Sequence, residues 1–107
     1  GESSAKAKGY IDALRKRAHA TVRASYTLND VLDERARELY CEGQRRTDLI
    51  RFNQFGGSQA TYKWELKGGS SNGTTFDKYL NVYPIPSSEI LSNKNLTQID
   101  GYNEVQN

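Results

Sequence analysis

Residues 27–55, TLNDVLDERARELYCEGQRRTDLIRFNQF, form the longest segment with a helical period in this chain. Leu28, Val31, Leu32, Ala36 and Leu39 recur at three- and four-residue steps, which places them on one stripe of a helix. Thr27 precedes the stripe and Asp30 follows three residues on, a near capping box with Asp in place of Glu or Gln. Gly43 interrupts the period. Leu49, Ile50 and Phe52 then restart an apolar face, so the segment predicts a kinked helix pair: a helix, then a second short helix or a bent continuation.

The charges in this segment are arranged at helical spacing. Glu38 and Glu42 lie one turn apart, and Arg35 lies one turn before Glu38. Glu42 reaches Arg45 and Arg46 at i+3 and i+4 if the helix survives Gly43, and Asp48 reaches Arg51 at i+3. Two readings follow. On a solvated face each pair contributes about 0.3–0.5 kcal/mol. In a half-buried site, each carboxylate can accept a forked arginine contact and brace the helix pair. In that case Glu42→Ala is expected to unfold the chain, because it leaves arginines unpaired.

A helix is expected over 4–19, with Ala7, Tyr10, Ile11, Leu14 and Ala18 as its apolar stripe. Gly9 weakens it by about 1 kcal/mol relative to Ala, so packing must stabilise it. Arg15, Lys16 and Arg17 suit the C-terminal end of its dipole. A phosphate or membrane-surface patch is the functional alternative, but no aromatic or reading helix accompanies them. His19 has no ligand partner at metal spacing. A loop over 20–26 joins this helix to the next, making a helical hairpin.

Beyond Phe55 the composition turns polar. The stretch 56–79 is a long loop with two glycine-rich clusters around YKWELK. In an extended chain Tyr62, Trp64 and Leu66 point one way and Lys63, Glu65 and Lys67 the other. A loop of this length is often functional. Tyr62, Trp64, Phe76 and Tyr79 sit among Asn, Ser and Thr, Asn72 included. Flat aromatic faces stack on sugar rings while amides and hydroxyls bond sugar hydroxyls, so Tyr62, Trp64, Asn72 and Tyr79 are candidate carbohydrate contacts. The alternative is that Trp64 and Phe76 plug the open end of a helical core. Residues 80–102 form an extended segment set by Pro84 and Pro86. Within it Ser87 is a candidate N-cap for one turn over 88–91. Residues 103–107 read as a frayed tail. Asn72-Gly-Thr74 and Asn95-Leu-Thr97 match the N-glycosylation acceptor pattern.

The chain has 107 residues, enough for one domain at most, with 36% apolar and 26% charged residues. The core is therefore modest. Net charge is +2, too small to imply a nucleic-acid partner. Six Lys/Arg stand against Glu2 and Asp12 up to Tyr26, a local +4, which leaves −2 for the remainder. Cys41 is the sole cysteine and cannot form an internal disulfide. No apolar run is long enough to span a membrane, and the GESSA start reads as an artificial boundary, so that a fragment or a mature piece is expected.

Three ordered blocks carry a resemblance to a known family. They are LDERARELYCEGQRRTDLIRFNQF, then YLNVYPIPSSEI, then NKNLTQIDGY, with YKWELKGG in the loop between the first two. Together they resemble the C-terminal end of a SusD/RagB-type protein, and YIDALRKRA fits the family's preceding helix. The resemblance implies a mainly α fold: a helical hairpin with a kinked second helix plus a long loop-rich C-terminal part, within a tetratricopeptide-containing protein. It implies a surface lipoprotein of a Bacteroidetes-type outer membrane that binds an oligosaccharide and delivers it to a SusC-type TonB-dependent transporter. Membrane attachment is expected only through a lipid anchor outside this fragment, since Cys41 falls within a helix. The family's recurrent motif maps to Asp33, Glu34, Arg35, Glu38, Glu42, Gly43, Arg45, Asp48 and Arg51. With Arg46, these are expected to form a structural network. No cofactor or metal is indicated.

Catalysis is the rival class. Glu38 and Glu42, or Asp33 and Glu34, could be cast as the acid and base of a glycosidase. A general acid needs a raised pKa, whereas an arginine neighbour favours the ionised carboxylate. A second rival is a cap module that meets the transporter without a sugar site of its own.

Overall fold

The computed structural model describes residues 4–103. Past Asn103, the tail expected at 103–107 lies outside the described residues. The chain divides into two compact units, Gly1–Asp48 and Leu49–Asn107. Among the described residues it is mainly α, with four α-helices and no strand.

The first unit holds α1 (Ser4–Arg17), α2 (Leu28–Glu38) and the start of α3 (Arg45–Arg51). α1 stops two residues before His19. Ala20 N–H donates to the Arg15 carbonyl at 2.8 Å and His19 N–H to the Lys16 carbonyl at 3.1 Å. His19 is left-handed with φ +54, and the whole is a Schellman stop. No glycine marks it, so apolar periodicity ran past it. α2 starts where its cap predicts. Thr27 Oγ1 accepts from Asp30 N–H at 3.2 Å, and Asp30 accepts from Thr27 N–H at 2.8 Å. The Thr27 backbone N–H, then its hydroxyl, then Arg23 hold Asp30 below the ordinary carboxylate range. On α1, Lys8 and the Tyr26 hydroxyl do the same for Asp12.

Ile11 of α1 and Leu32 of α2 are the buried apolar side chains of this unit. Ile11, Leu14, Val31 and Leu39 line one shared seam between the helices. Full burial of a side chain of this size stabilises by about 1.5–3 kcal/mol. α2 ends at Glu38, and residues 39–43 turn. Cys41 and Gly43 both take positive φ there, +63 and +74. Cys41 is thus an exposed turn residue, not a helical one. Open space surrounds Gly43, so its role is the left-handed turn and not close packing.

The second unit is built mostly from irregular chain. Gly56 and Phe76 form an isolated parallel bridge, with Gly57 N–H donating to the Phe76 carbonyl at 2.9 Å. Short 3₁₀ turns cover Lys67–Gly69 and Lys78–Asn81, and α4 covers Ser87–Ser92. Pro86 is the N-cap of α4 and no side chain caps it. Ser87 is therefore the first helical residue, because proline's fixed φ already sets the entry.

The C-terminal segment fastens onto the prolines. Gln98 Oε1 accepts from Ile85 N–H at 3.0 Å, and Gln98 Nε2 donates to the Ile85 carbonyl at 2.8 Å. The Tyr102 hydroxyl donates to the Val82 carbonyl at 2.7 Å. Its ring meets Tyr79 edge-on, with centroids 4.8 Å apart. Gly101 has φ +93, and a Cβ there would lie 2.4 Å from the Tyr79 ring. Thus Gln98, Gly101 and Tyr102 of the closing NLTQIDGY stretch each have a mechanical task. Gly101→Ala is expected to destabilise the chain by about 2–4 kcal/mol through backbone strain plus overpacking. The urea midpoint reads it.

Candidate functional site

The charged side chains of the first unit pair mostly between residues far apart in the chain rather than at i+3 and i+4. Glu34 is the hub of this network. It is 8% exposed and accepts from Arg15 Nη1 of α1 at 2.8 Å and from Arg37 Nη1 at 2.7 Å. Arg15 also caps the loop through a 2.8 Å bond from Nε to the Thr21 carbonyl. Glu38 pairs with Arg17 of α1, not with Arg35. Arg35 Nε instead bonds Asp48 Oδ2 at 2.8 Å. Asp48 is 2% exposed. Arg45 Nη1 donates to the Leu32 carbonyl at 2.8 Å, and its Nη2 lies 3.9 Å from Asp33 Oδ1.

Glu42 stands outside this wiring. The helix does not run through Gly43, so the i+3 and i+4 geometry toward Arg45 and Arg46 does not exist. Glu42 is an exposed turn residue. Arg46 is half-buried on α3 and Arg51 is its exposed last residue. Glu34 with Arg37 is an i+3 pair, but Arg15–Glu34, Arg17–Glu38 and Arg35–Asp48 join residues 19, 21 and 13 apart. Pairs between α1 and α2, such as Arg15 with Glu34, have no local signal. Glu34→Ala is therefore expected to cost about 3 kcal/mol, since it strands a largely buried Arg15. Glu42→Ala should stay within about 0.5 kcal/mol of the parent. Paired thermal melts distinguish these.

The loop 56–79 is organised by Lys67, which the alternation set on the face opposite Tyr62, Trp64 and Leu66. Lys67 is 1% exposed, whereas Leu66 is 65% exposed. Leu66 takes φ +65, which breaks the two-residue period and turns Lys67 inward. The Lys67 ammonium donates to the Phe55 carbonyl at 3.2 Å and the Tyr62 carbonyl at 3.1 Å. It also lies 4.7 Å from the Trp64 ring centroid and 5.0 Å from that of Phe76. The Lys67 carbonyl accepts from Thr74 N–H at 2.9 Å. One side chain thus ties together residues 55, 62, 64 and 76.

Of the candidate sugar contacts, Tyr62 and Trp64 come together, with centroids 6.3 Å apart. Trp64 also meets Phe76 edge-on at 6.3 Å, yet remains 36% exposed. Asn72 is exposed in a turn before Gly73. Tyr79 is engaged by Tyr102 and Gly101, a different cluster.

Burial lowers the Lys67 pKa from 10.5, with a smaller contribution from the Lys63 charge. The folded state then holds fewer protons than the unfolded state between the lowered value and 10.5. Stability from this group is expected to rise with pH through that window. Lys67→Met should abolish that slope and cost about 2–4 kcal/mol, because two carbonyls lose their donor. Urea melts of both proteins from pH 7 upward check it.

The SusD family's sequence profile matches residues 1–102. The starch-binding protein SusD of Bacteroides thetaiotaomicron is 47% identical over 97 residues, which is 90% of this chain. The chain spans 17% of the length of that relative.

Proposed function

The chain belongs to the SusD family, and from that premise we propose that it is the C-terminal part of an outer-membrane, surface-exposed glycan-binding protein. The parent would pass oligosaccharide to a SusC-type TonB-dependent transporter. In this reading the first unit is scaffold and the loop-rich second unit offers the recognition surface. The observation that carries the division of labour is where the polar groups are spent. Glu34, Glu38 and Asp48 are engaged by arginines, while 56–79 leaves many polar side chains exposed.

The same observation favours binding over catalysis. Glu34, the most enclosed of the four carboxylates weighed as acid and base, bridges two arginines and is thereby engaged within the scaffold. Tyr62, Trp64, Asn72 and Tyr79 remain the proposed sugar contacts, with Trp64 the most exposed ring among them. The second reading is a cap that meets the transporter and holds no sugar. The Lys67 ammonium against Trp64, and Tyr102 against Tyr79, favour it.

Isothermal titration of the full-length parent and of this chain with maltoheptaose separates the readings. The relative's starch-binding name motivates that probe. Binding by both, weakened about tenfold by Trp64→Ala, supports a loop site at Trp64. Binding by the parent alone supports the cap, and binding by neither contradicts glycan recognition of this class.

A further inference from the structure

A cleft of about 440 Å³ opens in the second unit between residues 57–59 and 75–78. Ser58, Gln59, Thr75, Asp77 and Lys78 line it. Its two walls are fixed to each other. The Gly56–Phe76 bridge joins them, and Gly57 N–H donates to the Phe76 carbonyl at 2.9 Å. Gln59 Nε2 donates to the Gly56 carbonyl at 3.1 Å, which folds that wall onto the bridge. Phe76 is in turn held from behind by Phe55, with centroids 5.2 Å apart, and by the Lys67 ammonium. The concavity therefore exists before any ligand arrives, and its volume falls in the range of small-molecule pockets.

Its chemistry is specific in kind. Asp77, Lys78, Ser58 and Thr75 are exposed, and their side chains form no hydrogen bond or ion pair with other described residues. Asp77 and Lys78 cancel in charge, so the cleft offers no net field to an acidic or a basic ligand. A carboxylate accepts from two neighbouring hydroxyls at once, an ammonium donates to hydroxyl oxygens, and serine and threonine do both. The ligand these groups fit is neutral and dense in hydroxyls.

We infer that this cleft is a neutral-saccharide subsite, with Asp77 gripping a vicinal diol and Lys78, Ser58 and Thr75 bonding the adjoining hydroxyls. The inference rests on the glycan-binding reading and moves the grip from the Trp64 side of the loop to the Asp77 side. Trp64 then serves the site from within, by backing Phe76, with Tyr62 against Trp64.

Two-dimensional amide NMR of this chain, titrated with maltoheptaose, tests it. Shifts are expected at 57–59 and 75–78. Asp77→Ala should weaken binding about tenfold, the loss of charge-assisted hydrogen bonds. Asp77→Asn should recover part of it, because an amide oxygen still accepts. Each variant keeps the parent's amide spectrum elsewhere if folding is intact. Shifts centred on Tyr62 and Trp64, with Asp77→Ala neutral, overturn the subsite and leave glycan recognition standing. No shift in this chain, with maltoheptaose binding retained by the full-length parent, also overturns it. No binding by either overturns the subsite and the glycan reading together.

Discussion

An ammonium group with almost no water around it sets the shape of the second unit. Among the described residues Lys67 has no carboxylate partner; two backbone carbonyls and two aromatic rings take that place. Such an arrangement is costly unless its partners are fixed, since desolvation penalises the charge. Because they are fixed, the chain from Phe55 to Phe76 closes on itself with little regular secondary structure. Carbonyls that would otherwise need water find their donor inside. This is how a stretch rich in Gly, Ser and Asn can hold one conformation with so small an apolar core.

The first unit solves the same problem with opposite chemistry. Glu34 and Asp48 are buried against guanidinium groups, Glu34 against Arg15 and Asp48 against Arg35. Glu34 receives one arginine from α1 and another from its own helix, so it fixes the hairpin as well as the helix face. Such pairs specify geometry more than they add stability. That suits a scaffold in which, among the described residues, Ile11 and Leu32 are the buried apolar side chains.

Much of this was legible in the sequence. The apolar stripe of α2, its Thr27–Asp30 cap and the break at Gly43 are local signals, and the mainly α class follows from them. The family was legible too, from blocks whose tasks are now visible: Gln98, Gly101 and Tyr102 fasten the proline segment. What could not be read were contacts between residues far apart in the chain. Arg15 with Glu34, and Lys67 with the Phe55 carbonyl, leave no periodic trace. The inward turn of Lys67 depends on left-handed backbone at Leu66, which a leucine does not advertise. For the candidate site, the long polar loop and its aromatic residues were legible, but the packing of those rings on one another and on Lys67 was not.

The central claim is that a dry, charged Lys67 holds the loop and so shapes the face it presents. Carbon-13 NMR of the lysine side chains, followed against pH, reports on that group directly. The account predicts one lysine titrating below 10.5, with a signal that moves to the ordinary value when 8 M urea unfolds the chain. If every lysine titrates together at about 10.5 in the folded protein, the ammonium is solvated and the loop is held by something else.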